Sequence, residues 1–212
     1  LGQNFFYSSL MLSVFSSLYA GNLMYYSSLL KAEKATIDLY ENFQKQSFRN
    51  RCCIACPNGI LNLIIPVCRK SKSIIKDVKI DESQSWRKIH WKSLESSYRS
   101  SPYFEFYEDK FHSIYLQKNC NYLFEFNQLI FQEVLKALKV EIEVTFTDSY
   151  IPINDTGSDF RTIIHPKIKL NNQFKQLKYH QVFQEKEKFI PNLSVLDLLF
   201  NEGPMAKQLL LQ

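Results

Sequence analysis

At 212 residues, 45% hydrophobic and 22% charged, the chain is long enough to bury roughly 70% of its unfolded surface, which excludes a disordered resting state. A net charge of +5 is too mild for a duplex-binding domain, whose Lys and Arg gather along one face, and fits an anionic small molecule better than nucleic acid. The 17 Phe and 12 Tyr predict a core dominated by aromatic packing.

The opening run LGQNFFYSSLMLSVF is apolar but lacks a basic n-region and the ~20-residue length of a membrane span, so a cytoplasmic protein with no membrane span is expected. Leu10–Phe15 reads as a buried strand running into a Ser16–Asn22 loop, where Ser, Gly and Asn break the pattern. A helix follows, with Leu23, Tyr26, Leu29 and Leu30 at helical spacing, and Ala35–Leu39 completes a β-α-β unit with a parallel pair. Arg51–Ala55 and Ile60–Val67, separated by Pro57-Asn58-Gly59, predict a hairpin, and Ile74–Ile80 predicts a further strand. From Gln84 the period becomes helical, over Trp86–Tyr98, Tyr103–Tyr115 and Tyr122–Leu138. Val140–Phe146 alternates as a strand, and Asn154–Ser158 is turn-rich. Ser194 and Asp197 have capping-box spacing, Gly203 ends that helix, and Pro204 starts another. Together these elements predict one α/β domain over residues 1–212: an opening β-α-β unit with a mixed sheet and a β-hairpin, an aromatic-rich helical cluster, and a packed C-terminal tail.

Five cysteines, odd in number and set in or beside apolar runs, read as reduced structural thiols. Cys53 and Cys56 form a C-x-x-C in a strand-like run with no second pair or His cluster at zinc spacing, so no metal is expected.

The polar stretch Glu41–Arg51 is the first candidate for chemistry. Ligands in open α/β sheets bind beyond the carboxyl ends of the strands, where this segment and the Tyr19–Asn22 loop should both emerge. A helical segment would put Glu41, Lys45 and Arg49 on one face, an extended one Arg49 and Arg51. Such cations suit phosphate or carboxylate; the bland alternative is a charged loop with internal ion pairs. A second basic run, Arg69–Lys72 with Lys76 and Lys79, would attract anions or simply solvate an edge, Lys76 being the better ligand candidate. In the helix from Trp86, His90 and Glu95 are the candidate proton-handling groups, against a structural reading in which His90 bonds a backbone carbonyl. Phosphate-cradling glycine loops, the serine-hydrolase elbow and H-E-x-x-H are absent from the sequence.

The strings Tyr40–Cys52, Pro57-Asn58-Gly59, Ile65-Pro66-Val67 and Ile75–Ile80 resemble the WbqC-like family. The likeness continues through Trp86, His90-Trp91, Glu95–Tyr98, Ser100–Phe104, Asp159-Phe160-Arg161, Tyr179 with Gln181–Phe183, Phe189–Ser194 and Asp197–Pro204, about residues 12 to 204 in all. Tyr40 stands where the family pattern suggests His. The family is associated with O-antigen and other surface-polysaccharide loci, which implies a cytoplasmic step on an activated sugar or its modifying group and no defined reaction or cofactor. On this footing the expected function is a transferase that binds a nucleotide-linked sugar: Lys45, Arg49, Arg51 and Lys76 on the anion, Tyr19 and Asn22 orienting it, His90 or Glu95 moving a proton. The opening unit also bears a fold-level analogy to nucleotidyl-transfer enzymes, without their paired histidines. The non-enzymatic alternative is a binding or scaffolding protein using an exposed stripe of Phe104, Tyr107, Phe111 and Ile114, a spacing that otherwise means core.

Overall fold

The computed structural model describes residues 12–68, 73–116, 119–153, 159–168 and 177–212. Residues 10 and 11 of the first predicted strand, the Arg69–Lys72 run and the Asn154–Ser158 turn lie outside them. β1 (Leu12–Ser16) and β2 (Lys34–Asp38) pair in parallel from Leu12↔Lys34 to Ser16↔Asp38, joined by α1 (Leu23–Lys31). Asn22 caps α1, its side-chain oxygen accepting from the Tyr25 N–H at 2.9 Å. Four of the five residues in each strand are buried, as expected of a parallel sheet covered on both faces. β5 (Val144–Phe146) adds a third parallel strand beside β2 and is shorter than the alternation from Val140 predicts.

β3 (Arg51–Cys56) and β4 (Gly59–Ile64) form a separate antiparallel hairpin. Gly59 supplies the positive φ (98°) at its turn. Alternation gives the hairpin two faces: Cys52, Ile54 and Leu63 are buried in the core, while Arg51, Cys53, Ile60 and Asn62 share the other side.

The predicted strand Ile74–Ile80 does not form. Ile75–Asp77 is a 3₁₀ turn, because the Ile75 and Lys76 N–H groups bond the carbonyls of Glu41 and Leu39 at 3.0 and 3.1 Å. Its buried residues, Ile75, Val78 and Ile80, are spaced by three and two, which no strand of period two can bury together.

The aromatic cluster is built on α2 (Trp86–Tyr98), α3 (Phe104–Leu116) and α4 (Leu123–Ala137), within one residue of their predicted starts and ends. The stripe Phe104, Tyr107, Phe111 and Ile114 is buried; Phe104 and Phe111 pack edge-on against Phe200 at 5.2 and 5.8 Å. That stripe is core and offers no docking face.

α5 (Phe160–Ile163) and α6 (Gln184–Glu187) are single turns, and α7 (Val195–Glu202) and α8 (Ala206–Leu211) close the chain. Ser194 caps α7 through the Leu196 N–H. Asp197, expected to complete a capping box, does not: its carboxylate accepts from the Tyr98 and Tyr179 hydroxyls in the core, and the Ser194 N–H bonds the Cys53 carbonyl instead. The Leu23 N–H to Leu193 carbonyl bond (3.1 Å) and the Val195 N–H to Gly21 carbonyl bond (2.9 Å) stitch the first loop to this tail. All five cysteines are free thiols.

Candidate functional site

The space beyond the carboxyl ends of β1 and β2 is filled by the chain's own ions. Arg49 is wholly buried and grips Glu41, Nε to Oε1 at 2.9 Å and Nη2 to Oε2, while Nη2 also donates to Ser16 Oγ at 3.0 Å. Burial pushes the Glu41 carboxyl up, and the Arg49 guanidinium opposes that. Beside them Arg161, also buried, pairs with Asp159 (Nε to Oδ1, 2.9 Å) and with Asp38 at the end of β2. The segment Glu41–Arg51 is therefore neither a helix nor a phosphate clamp up to Arg49: bidentate pairing uses that guanidinium internally. Lys45 is exposed, and Lys76 donates to the Tyr40 hydroxyl at 2.7 Å with its Nζ over that ring.

Tyr19 does not face solvent. Its hydroxyl lies 2.6 Å from that of Tyr115 and 3.0 Å from His90 Nδ1. Burial pushes this imidazole down to about 4, against the opposing influence of the Ile64 backbone, so it is neutral near pH 7. His90 is buried and lines neither the hairpin cleft nor the α2–α3 cleft described below. Glu95 sits apart, on the rim of a cleft between α2 and α3, where Lys92 and then Arg99 hold it below the ordinary carboxylate range. An ionised Glu95 can accept hydrogen bonds or a proton but has none to give.

Two predicted residues, Asn22 and Arg51, do meet, in a cleft of about 360 Å³ against the outer face of the hairpin. Arg51, Cys53, Ile60 and Asn62 form its floor; Asn22 and Met24 at the start of α1, the 163–168 segment with His165, and Pro191-Asn192-Leu193 form its walls. None of the described lining residues is a carboxylate. Arg51 Nε is shielded from water and has no hydrogen-bond partner among the described residues. His165 accepts from the Lys167 N–H at Nδ1 (3.2 Å), which places the proton of the neutral ring on Nε2. Burial, then Arg49, Lys167 and Arg51, push its pKa below the ordinary imidazole range. Cys53 donates to Asn62 Oδ1 at 3.2 Å, and burial pushes its thiol up, so it stays protonated. The first N–H groups of α1 are already taken, by Leu193, Asn192 and Asn22, so the helix contributes its dipole and no free donor. Sequence reasoning missed His165, which stands alone in the sequence, and Cys53, although strand alternation from Arg51 carries the signal that the two share a face.

A family model for WbqC-like proteins matches residues 17–173 and 164–209. The chain belongs to the WbqC-like protein family. A curated relative, "Uncharacterized protein Rv1507c" of Mycobacterium tuberculosis (strain ATCC 25618 / H37Rv), is 24% identical over 195 residues, covering 79% of this chain and 84% of its own. No solved structure matches. The WbqC-like match covers both walls and floor of the hairpin cleft, from Asn22 to Leu193. Among the described residues no helix is long and apolar enough to cross a membrane, and no group of three His, Cys, Asp or Glu could hold a metal ion.

Proposed function

We propose that the hairpin cleft binds the anionic part of an activated, nucleotide-linked sugar and that the chain acts on it as a cytoplasmic transferase of surface-polysaccharide biosynthesis. The pathway comes from the family association alone. The binding mode rests on one observation: among the described residues, Arg51 Nε–H is a buried donor with no acceptor and no carboxylate lines the cleft. A buried donor left open costs about 1–3 kcal/mol, which a phosphate oxygen in the cleft recovers. His165, neutral with its proton on Nε2, is suited to donate a hydrogen bond to the same anion or a proton to an oxygen leaving from it. Arg49 and Lys167 contribute field to His165 without contacting the ligand.

Thermal unfolding in the presence of nucleotide sugars and of inorganic phosphate tests this reading. A ligand at a hundred times its Kd adds about 2.7 kcal/mol of stability, on the order of 5–10 °C in Tm for a chain of this length. The rise is expected in the wild type and absent in Arg51→Ala. A panel that leaves the wild type unmoved, or moves both proteins equally, refutes it.

A further inference from the structure

The second cleft, between α2 and α3, carries charges of both signs. It measures about 600 Å³, within the range of small-molecule sites, roughly 300–1,000 Å³. Its polar rim carries Glu82, Glu95 and Glu108 beside Arg87, Lys88 and Lys92, so three carboxylates are matched by three cations. Each carboxylate has a cation partner: Glu82 with Arg87 at 2.8 Å, Glu95 with Lys92 at 2.6 Å, and Glu108 at 3.5 Å with Arg99, which stands just outside the lining, while Lys88 has no ion pair among the described residues. With both signs interleaved along the rim, a formally charged ligand gains little net field in such a cleft. A hydroxyl group does well there, because it donates and accepts at once, and each pair presents an acceptor oxygen within a few ångströms of a donor nitrogen.

The wall between these pairs is apolar and aromatic. His112 stacks on Trp91 with ring centroids 4.6 Å apart, and Leu116, 64% exposed, extends the surface they begin. Arg87 is nine-tenths buried: its Nε and Nη2 are bonded to Glu82 and the Cys120 carbonyl, and its guanidinium lies over the Trp86 and Phe126 rings at 4.6 and 5.0 Å, which fixes Glu82 at the rim.

We propose that the α2–α3 cleft is a second binding site, for a neutral hydroxyl-rich ring of the saccharide class, its apolar face on His112 and Leu116 and its hydroxyls on the Glu95–Lys92 and Glu82–Arg87 pairs. The site stands independently of the anion reading of the hairpin cleft. Both Glu95 and Lys92 are binding groups in it and neither is assigned a chemical step.

Saturation-transfer NMR on the intact chain with neutral methyl pyranosides, glucuronate and glucosamine as probes tests the assignment. The neutral pyranosides are expected to receive saturation at their ring C–H protons and to bind more tightly than either charged sugar. Glu95→Gln and Lys92→Ala, both at solvent-accessible positions where the fold should tolerate the change, are each expected to weaken binding roughly tenfold, while Lys34→Ala, an exposed cation at the start of β2 outside both clefts, leaves it unchanged. Inorganic phosphate should not displace the sugar. The proposal fails if no neutral pyranoside binds, if a charged sugar binds more tightly, if neither cleft variant weakens binding, or if phosphate displaces the ring and so puts it in the hairpin cleft.

Discussion

Arg49 and Arg51 stand two residues apart in the chain and lead opposite lives. Arg49 lies in the buried ion lattice at the ends of the parallel strands, where Glu41, Ser16, Asp38, Asp159 and Arg161 satisfy one another. Arg51 begins the hairpin, and strand alternation turns it to the outer face, where no carboxylate lines the cleft among the described residues and its Nε stays open. A satisfied buried cation contributes to the fold; an unsatisfied one is available to a ligand.

Substitution should separate the two. Arg49→Ala or Arg161→Ala leaves buried carboxylates uncompensated and is expected to cost on the order of 3–5 kcal/mol in denaturant unfolding. Arg51→Ala, which strands no hydrogen-bond or ion-pair partner among the described residues, is expected to stay within about 1 kcal/mol of wild type. Equal costs for Arg49→Ala and Arg51→Ala would erase the distinction.

The interior offers a sharper test through pH. His90 titrates near 4 in the folded chain and at about 6.5 unfolded, so the unfolded state takes up its proton first as pH falls. Its contribution is complete above pH 6.5 and is lost progressively toward pH 4, at most about 3 kcal/mol. Asp197 runs the other way. Burial pushes it up to about 6, against the Tyr179, Tyr98 and Gln181 hydrogen bonds, so its contribution is complete below about pH 4 and is lost as pH rises through 6. Unfolding curves from pH 4 to 7 should therefore diverge from wild type with opposite slopes in His90→Gln and Asp197→Asn. Parallel curves would mean that neither group is buried as described.

The smallest expected effect belongs to the cleft. A bound anion offsets the Arg49, Lys167 and Arg51 charges that hold His165 down, so phosphate should raise the His165 pKa and bind more tightly at pH 6 than at pH 8. Imidazole proton shifts followed with and without phosphate measure it. A His165 titration indifferent to phosphate would leave the cleft without its ligand.

What the sequence disclosed follows from the range of the forces involved. The helices from Trp86, Phe104 and Leu123 repeat their apolar residues locally, and the Pro57-Asn58-Gly59 turn is a matter of a few neighbouring residues, so these could be read in advance. Charge pairing is not local. Nothing beside Arg161 announces Asp38, 123 positions away, and without that knowledge Arg49 looks as available as Arg51. The same limit hid His165, which reaches the cleft from a segment more than a hundred residues beyond the hairpin. In Ile75–Ile80 the local pattern itself was ambiguous, and bonds to Leu39 and Glu41 decided for a turn.

The Tyr115–Tyr19–His90 chain ties three separate pieces of the fold through one oxygen. The Tyr19 hydroxyl lies 2.6 Å from that of Tyr115 on α3 and 3.0 Å from His90 Nδ1 on α2, so the loop after β1 is pinned to both helices. All three residues are buried, and removing any one of them leaves a polar atom of its neighbour out of reach of water. Because Tyr115 also lines the α2–α3 cleft, a change in the first loop would be felt at the wall of that cleft.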